Sequence, residues 1–263
     1  MIVNGLVTAA GYVPPTVEDT HLPDIFTIGS FGFGKQMLLV ILSVVIVAAF
    51  FMHAGRKRAM VPGREQFIAE SGYLFIRNSL AKELIGAHAY KPFVPLLFTA
   101  FFFILVNNLF GSIPGIQLPP MSHAGAAYVM AGFAWFTWVG VGIKRKGFGT
   151  FFKDLTMPSG VPPILYIILV PIEFLSNLLI RPVTHALRLF ATMFGGHMAI
   201  LVAASLTQYL IVEVGGFGSL AAVGSGALGL FFYFLELMIQ CIQAYIFTLL
   251  LAVYLQGSVS EGH

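Results

Sequence analysis

The chain has 263 residues, of which 58% are hydrophobic and only 10% charged. Soluble domains are about 25% charged, so this composition, with a mean hydropathy of +0.89, excludes a soluble globule and places the chain in a membrane. The net charge of +3 is too small to imply a nucleic-acid partner, and the single cysteine excludes an intrachain disulfide or a multi-cysteine metal site.

Residues 1–34 hold no Lys or Arg beside a short apolar stretch, so they lack the basic region of a cleaved signal. They are read, with residue 35, as an external leader to the first span. Five apolar blocks follow: 36–54, about 92–110, about 126–143, about 162–211 and about 219–256. The first three match the roughly 20 residues that a helix needs to cross the hydrocarbon. Lipid offers the backbone no partners, so such blocks must be helical, and no ten-residue alternation suggests a barrel.

Between the first two spans, 55–91 includes an amphipathic candidate over 64–90. There Phe67, Tyr73, Leu74, Leu80 and Leu84 alternate with charges, as in a helix lying on the membrane surface. The spans within 92–143 form a hairpin, and 144–161 is read as a cytoplasmic loop. The last two blocks exceed one perpendicular crossing, yet neither has a charged turn. Pro171 and Pro182 bend a helix without making a loop. The reading for 162–256 is two long, strongly tilted helices, joined by a Gly-rich turn near 213–218, with a short tail at 257–263. The fold class is thus an all-α polytopic membrane protein with five inserted helices and a surface amphipathic helix.

Eleven of the 14 basic residues lie in two segments: Arg56, Lys57, Arg58, Arg64, Arg77, Lys82 and Lys91 in one, Lys144, Arg145, Lys146 and Lys153 in the other. Segments 1–34, 111–125 and 212–218 have none. The positive-inside rule puts the two basic segments in the cytoplasm, hence the N-terminus outside and the C-terminus inside. Glu18, Asp19 and Asp24 then fall outside.

Several ionisable groups interrupt the long blocks. Arg188 and His197 lie in the fourth, with Glu173 and Arg181 toward its start, and Glu236 in the fifth. An arginine at a helix centre costs roughly 2.5–3.5 kcal/mol on insertion scales, and such residues mark ion paths by default. At about 100° per residue, His197 lies opposite Arg188, whereas Thr184 and Thr192 share the arginine's face. That face offers no negative partner, which suggests one on another chain. Glu236, Gln240 and Gln243 fall at i, i+4 and i+7, one polar stripe that Tyr233 extends by a turn. His197 and Glu236 could meet across the two helices, and a histidine with a carboxylate suits proton transfer. The glutamines could equally serve as interhelical glue. Cys241, inside an apolar run, is read as a packing residue. With no nucleotide loop and no metal-binding HExxH motif, the chemistry is transport.

The segment RPVTHALRLFATMFGGH, with NNLFGSIPG at 107–115 and IQAYIFTLLLAVYL at 242–255, resembles the a subunit of F-type ATP synthases over most of the chain after residue 36. The resemblance implies a membrane-embedded stator in a plasma membrane of bacterial type, beside a rotating ring of c subunits and held by peripheral-stalk b subunits. It requires no cofactor and no metal, and the nucleotide chemistry belongs to other subunits. Arg188 matches the family's essential arginine, which faces the ring carboxylate and keeps two half-channels from short-circuiting. His197 and Glu236 match a His/Glu pair that some members carry exchanged, and Gln243 matches a glutamine of the last helix. Thr192 stands where Asn is usual, and Ala191 where Gly is common. The implied proton path enters near His197, Glu236, Gln240 and Gln243 and leaves near Thr184, Ser176 and Glu173, with Thr192 also on the path. Two other classes fit the composition. A self-contained secondary ion transporter predicts an inverted repeat, which the sequence lacks; a membrane scaffold predicts that Arg188 and Glu236 tolerate neutral replacement.

Overall fold

Apolar stretches without polar breaks satisfy their backbone internally, and in the computed structural model they are helices. The structure describes residues 7–8, 11–12, 14–16, 26–28, 31–56, 62–113, 116, 119–157 and 161–259. Much of the leader, with Glu18, Asp19 and Asp24, lies outside these residues, as do Lys57, Arg58 and the end of the tail.

Two small antiparallel pairs precede the helices: β1 (Val7–Thr8) with β2 (Gly11–Tyr12), and β3 (Phe26–Ile28) with β4 (Phe31–Phe33). Tyr12 reaches the long helix Arg181–Tyr209, where its hydroxyl lies 3.0 Å from Ser205 Oγ and its ring centroid 5.7 Å from that of Tyr209. The helices are α1 (Lys35–Arg56), α2 (Arg64–Phe75), α3 (Val94–Leu109), α4 (Ala124–Lys146), α5 (Phe148–Thr156), α6 (Tyr166–Leu175), α7 (Arg181–Tyr209) and α8 (Phe217–Val259). Wider π-helical turns continue α2 through Ile76–Ile85, join α6 to α7 through Ser176–Ile180 and extend α7 through Leu210–Val214.

Five stretches are long and apolar enough to cross a membrane: Lys35–Arg56, Lys91–Ser112, Ala124–Lys146, Tyr166–Val214 and Gly218–Val259. The fourth is thus one continuous helix of 49 residues. Pro182 cannot donate to Leu178 and its ring crowds that carbonyl; the chain answers with the widened turn at Ser176–Ile180 rather than a loop.

The reversal between α7 and α8 falls at Gly215 and Gly216, with φ of +57° and +46°. That is the left-handed region, open to glycine without a Cβ penalty. From there the helices pair antiparallel along most of their length. Thr207 Oγ1 donates to Ser225 Oγ at 3.0 Å, Gly196 lies against Glu236, His185 against Phe247 and Arg181 over Tyr254. These pairs straddle Gly216 almost symmetrically. The core sits where this hairpin meets α3, α4 and the π-helical end of α2, around Leu97, Ile104, Leu189, Met193, Phe247 and Leu251.

Three local details differ from the sequence reading. Segment 144–161 contains α5, whose Phe148, Phe151, Phe152 and Leu155 recur at helical spacing; Phe151 is buried against Trp138, ring centroids 5.9 Å apart. The helix from Arg64 onward is present, but its apolar residues divide between two environments. Phe67, Tyr73 and Leu74 are exposed, whereas Leu80 joins Ile76, Ala81 and Ile85 in the core. Cys241 lies on an exposed face of α8 rather than packing within the chain.

Candidate functional site

Two polar regions and one open arginine lie along the hairpin. Arg188 is exposed on α7, with Thr184, Leu187, Ala191 and Gly195 on the same open face. Among the described residues no carboxylate comes within ion-pair distance of its guanidinium. Thr184 Oγ1 donates to Ile180 O at 2.9 Å, and Thr192 Oγ1 to Arg188 O at 2.8 Å. Such back-bonding satisfies both hydroxyls within their own helix and leaves the guanidinium free to meet an external partner. The opposite side of the helix is closed: His185, Leu189, Met193 and His197 are buried.

Toward the Gly215–Gly216 turn, α8 presents Glu236, Gln240 and Gln243, all at most 3% exposed. Their spacing puts them on one face, and that face meets the end of α3. Gln240 Nε2 donates to Glu236 Oε1 at 3.2 Å. Ser112 Oγ donates to Gln240 Oε1 at 2.7 Å, and Asn108 Nδ2 to the Gln240 carbonyl at 3.3 Å. Tyr233 OH donates to Ser112 O at 2.8 Å, and Asn107 Nδ2 to Ser43 Oγ of α1 at 2.8 Å. Glu236 Oε2 and Gln243 Nε2 are buried without a partner. An orphaned buried polar atom calls for an explanation, and a transient proton or water is one. Gly196 is what lets α7 approach: a Cβ there would stand 3.1 Å from Glu236 Cγ. No hydrogen bond or ion pair joins His197 to Glu236; the carboxylate's neighbour across the hairpin is Gly196.

On the other side of Arg188 a cavity of about 480 Å³ opens between α4, α5, α6 and the end of α8. Glu173, Asn177, Arg181, Lys146, Asp154 and Tyr254 line it. Asn177 Nδ2 donates to Glu173 Oε2 at 2.9 Å and to Leu155 O at 2.8 Å. Lys146 pairs with Asp154 at 3.1 Å, and the Arg181 guanidinium stacks 5.4 Å from the Tyr254 ring centroid, a cation–π contact. Ser176 is half-buried on the neighbouring π turn. Among the described residues no three His, Cys, Asp or Glu side chains converge as a metal site.

The nine expected site residues therefore fall into three groups. Glu236, Gln240 and Gln243 cluster together, with His197 buried on the facing helix; Arg188, Thr184 and Thr192 share the open side; Glu173 and Ser176 lie at the far region. Sequence reasoning passed over Ser112, Asn108 and Asn177, whose roles depend on long-range contacts. His185 carried a visible signal, an imidazole in an apolar helix. It is 4% exposed with Nε2 unpartnered, its ring edge-on to Phe247 at 4.0 Å.

A multi-pass helical protein with polar regions on either side of one unpaired intramembrane arginine is, by class, an ion-translocating membrane subunit. Residues 37–256 match the ATP synthase A chain family. "ATP synthase subunit a" of Pseudarthrobacter chlorophenolicus is 49% identical over 256 residues, 96% of this chain and 95% of the relative. The protein of the same name in Paenarthrobacter aurescens is 50% identical over 261 residues, 97% and 96% of the two chains. That of Streptomyces lividans is 40% identical over 233 residues, 88% and 81%. The chain belongs to the ATP synthase A chain family, the a subunit of the F-type enzyme's membrane sector.

Proposed function

We propose that this chain is the proton-conducting stator that works against a ring of c subunits, beside peripheral-stalk b subunits, in a bacterial-type plasma membrane. The observation that carries the reading is Arg188, exposed on a long helix with no carboxylate in reach among the described residues. Its natural counterpart is a carboxylate that moves past on another subunit.

With the basic segments in the cytoplasm, the Gly215–Gly216 turn lies outside. A proton enters from that side near His197, Glu236, Gln240 and Gln243 and neutralises a ring carboxylate. The neutral site can rotate into lipid, where an ionised carboxylate would be strongly disfavoured. After the ring has turned, the proton leaves through the opposite region, past Thr184, Ser176 and Glu173. Arg188 favours the ionised carboxylate as the site passes, and its fixed charge separates the two half-channels. A membrane potential of 100 mV supplies about 2.3 kcal/mol per charge. The two long helices lie tilted against the ring, since at 1.5 Å per residue each is more than twice the roughly 30 Å of hydrocarbon.

The test is ATP-driven acidification of inverted membrane vesicles. Arg188→Ala is expected to assemble into the complex and to abolish acidification. Coupled pumping at wild-type rate in that variant would overturn the assignment.

A further inference from the structure

The proton path proposed above accounts for Glu236 and Gln240 but leaves aside the NNLFGS segment packed on them. Gln240 has a two-sided amide: oxygen on one side accepts, nitrogen on the other donates. Ser112 Oγ lies on the oxygen side, 2.7 Å from Gln240 Oε1. The nitrogen side faces Glu236 and donates to Oε1 at 3.2 Å. Two further bonds hold the arrangement: Asn108 Nδ2 to the Gln240 carbonyl, 3.3 Å, and Tyr233 OH to Ser112 O, 2.8 Å. The three bonds made by Gln240 are buried, and Tyr233 is half-buried at their edge. One carboxylate oxygen is thereby occupied by a donor, and the other, Oε2, stays buried and unpartnered.

We infer that Ser112 is a positioning residue for proton transfer at Glu236, acting through the Gln240 amide. The serine hydroxyl anchors the amide oxygen while the amide nitrogen holds one carboxylate oxygen, so protons load and leave at Oε2 and not at Oε1. Without that hydroxyl the buried amide oxygen has no donor, and the amide is free to shift off Oε1. The carboxylate then loses its fixed orientation. The inference rests on the reading of Glu236 as a proton carrier.

The experiment uses the complete ATP synthase with Ser112→Ala, Ser112→Thr and Glu236→Gln. Two quantities are measured: ATP-driven pumping in inverted vesicles, and infrared difference spectra of the purified complex between acid and alkaline pH. The carboxyl band missing in Glu236→Gln is the Glu236 band, and its position reports the hydrogen bonding of that group. Ser112→Ala is expected to slow pumping about fivefold, the factor equivalent to the ~1 kcal/mol of one net hydrogen bond, and to move the band. Ser112→Thr, which keeps a hydroxyl, is expected to restore both. A Glu236 band unmoved in Ser112→Ala, or a threonine variant as defective as alanine, overturns the inference. If Glu236→Gln itself pumps at the wild-type rate, the carrier role falls; if it is impaired while Ser112→Ala is silent, only the role of Ser112 falls.

Discussion

Glu236 is held on three sides. Gln240 donates to one carboxylate oxygen, Gly196 of the facing helix leaves just enough room for Cγ, and the second oxygen is enclosed without a partner. A buried carboxylate with one open oxygen can take up and release a proton while its frame stays fixed, which limits reorganisation during transfer. Glu236→Gln keeps the volume and removes the proton site. It should assemble normally and pump at least about tenfold more slowly, a loss of roughly 1.4 kcal/mol in barrier terms; unchanged pumping in vesicles would remove Glu236 from the path. Gly196→Ala tests the frame rather than the acid. The added methyl needs space that Glu236 Cγ occupies, so pumping should fall while the amount of assembled complex stays constant. The stripe of Glu236, Gln240 and Gln243 is legible in the sequence because helical periodicity reports which residues share a face. It does not report what that face meets. Ser112 and Asn108 lie 128 and 132 residues from Gln240, and no local pattern encodes such a contact.

At the scale of elements, the long hairpin depends on its reversal. Gly215 and Gly216 both have positive φ, where a side chain costs roughly 1–2 kcal/mol per residue. Replacing both with alanine should lower the thermal midpoint of the purified complex by several degrees, read by the loss of the assembled band after heating; no change would show that the turn adopts another conformation. The position of this turn is legible from the Gly-rich segment 213–218 between the two apolar blocks, whereas the Gly195–Gly196 pair inside α7 stays helical. The helix α5 was less legible. Its four aromatic and aliphatic residues follow a cluster of three basic ones, and a nine-residue helix between basic and Pro/Gly-rich segments resembles a loop by composition. Cys241 shows the same limit in reverse. In a membrane an apolar neighbourhood marks a lipid or partner face as readily as a core, so hydrophobicity carries no information about which side is inside.

For the whole molecule, the distribution of basic residues predicts which side of the membrane each loop faces. The exposed sides of α6 and α8 are strongly apolar, with Ile167 77% and Leu220 74% exposed, as expected of surfaces that face lipid or an apolar partner. Orientation is testable in a Cys241→Ser background with single cysteines at Lys144 and at Glu213, both exposed. A membrane-impermeant thiol reagent should label Lys144→Cys in inverted vesicles and Glu213→Cys in right-side-out ones. The opposite pattern would reverse the entry and exit sides.

The antiparallel pairing about Gly216 also restricts how this chain can change in evolution. Each residue of one arm has a fixed opposite number on the other, from Thr207 with Ser225 to Arg181 with Tyr254. Inserting a single residue between Arg188 and the turn would rotate everything on its far side by about 100° and slide it by about 1.5 Å. With the insertion placed between Gly196 and the turn, Arg188 would move to where Leu187 now stands, and Glu236 would lose the glycine opposite it. Away from the polar site a substitution disturbs only its own contacts, whereas a change of length disturbs every pair beyond it: between residues 181 and 254 the chain behaves as a ruler whose divisions keep their spacing.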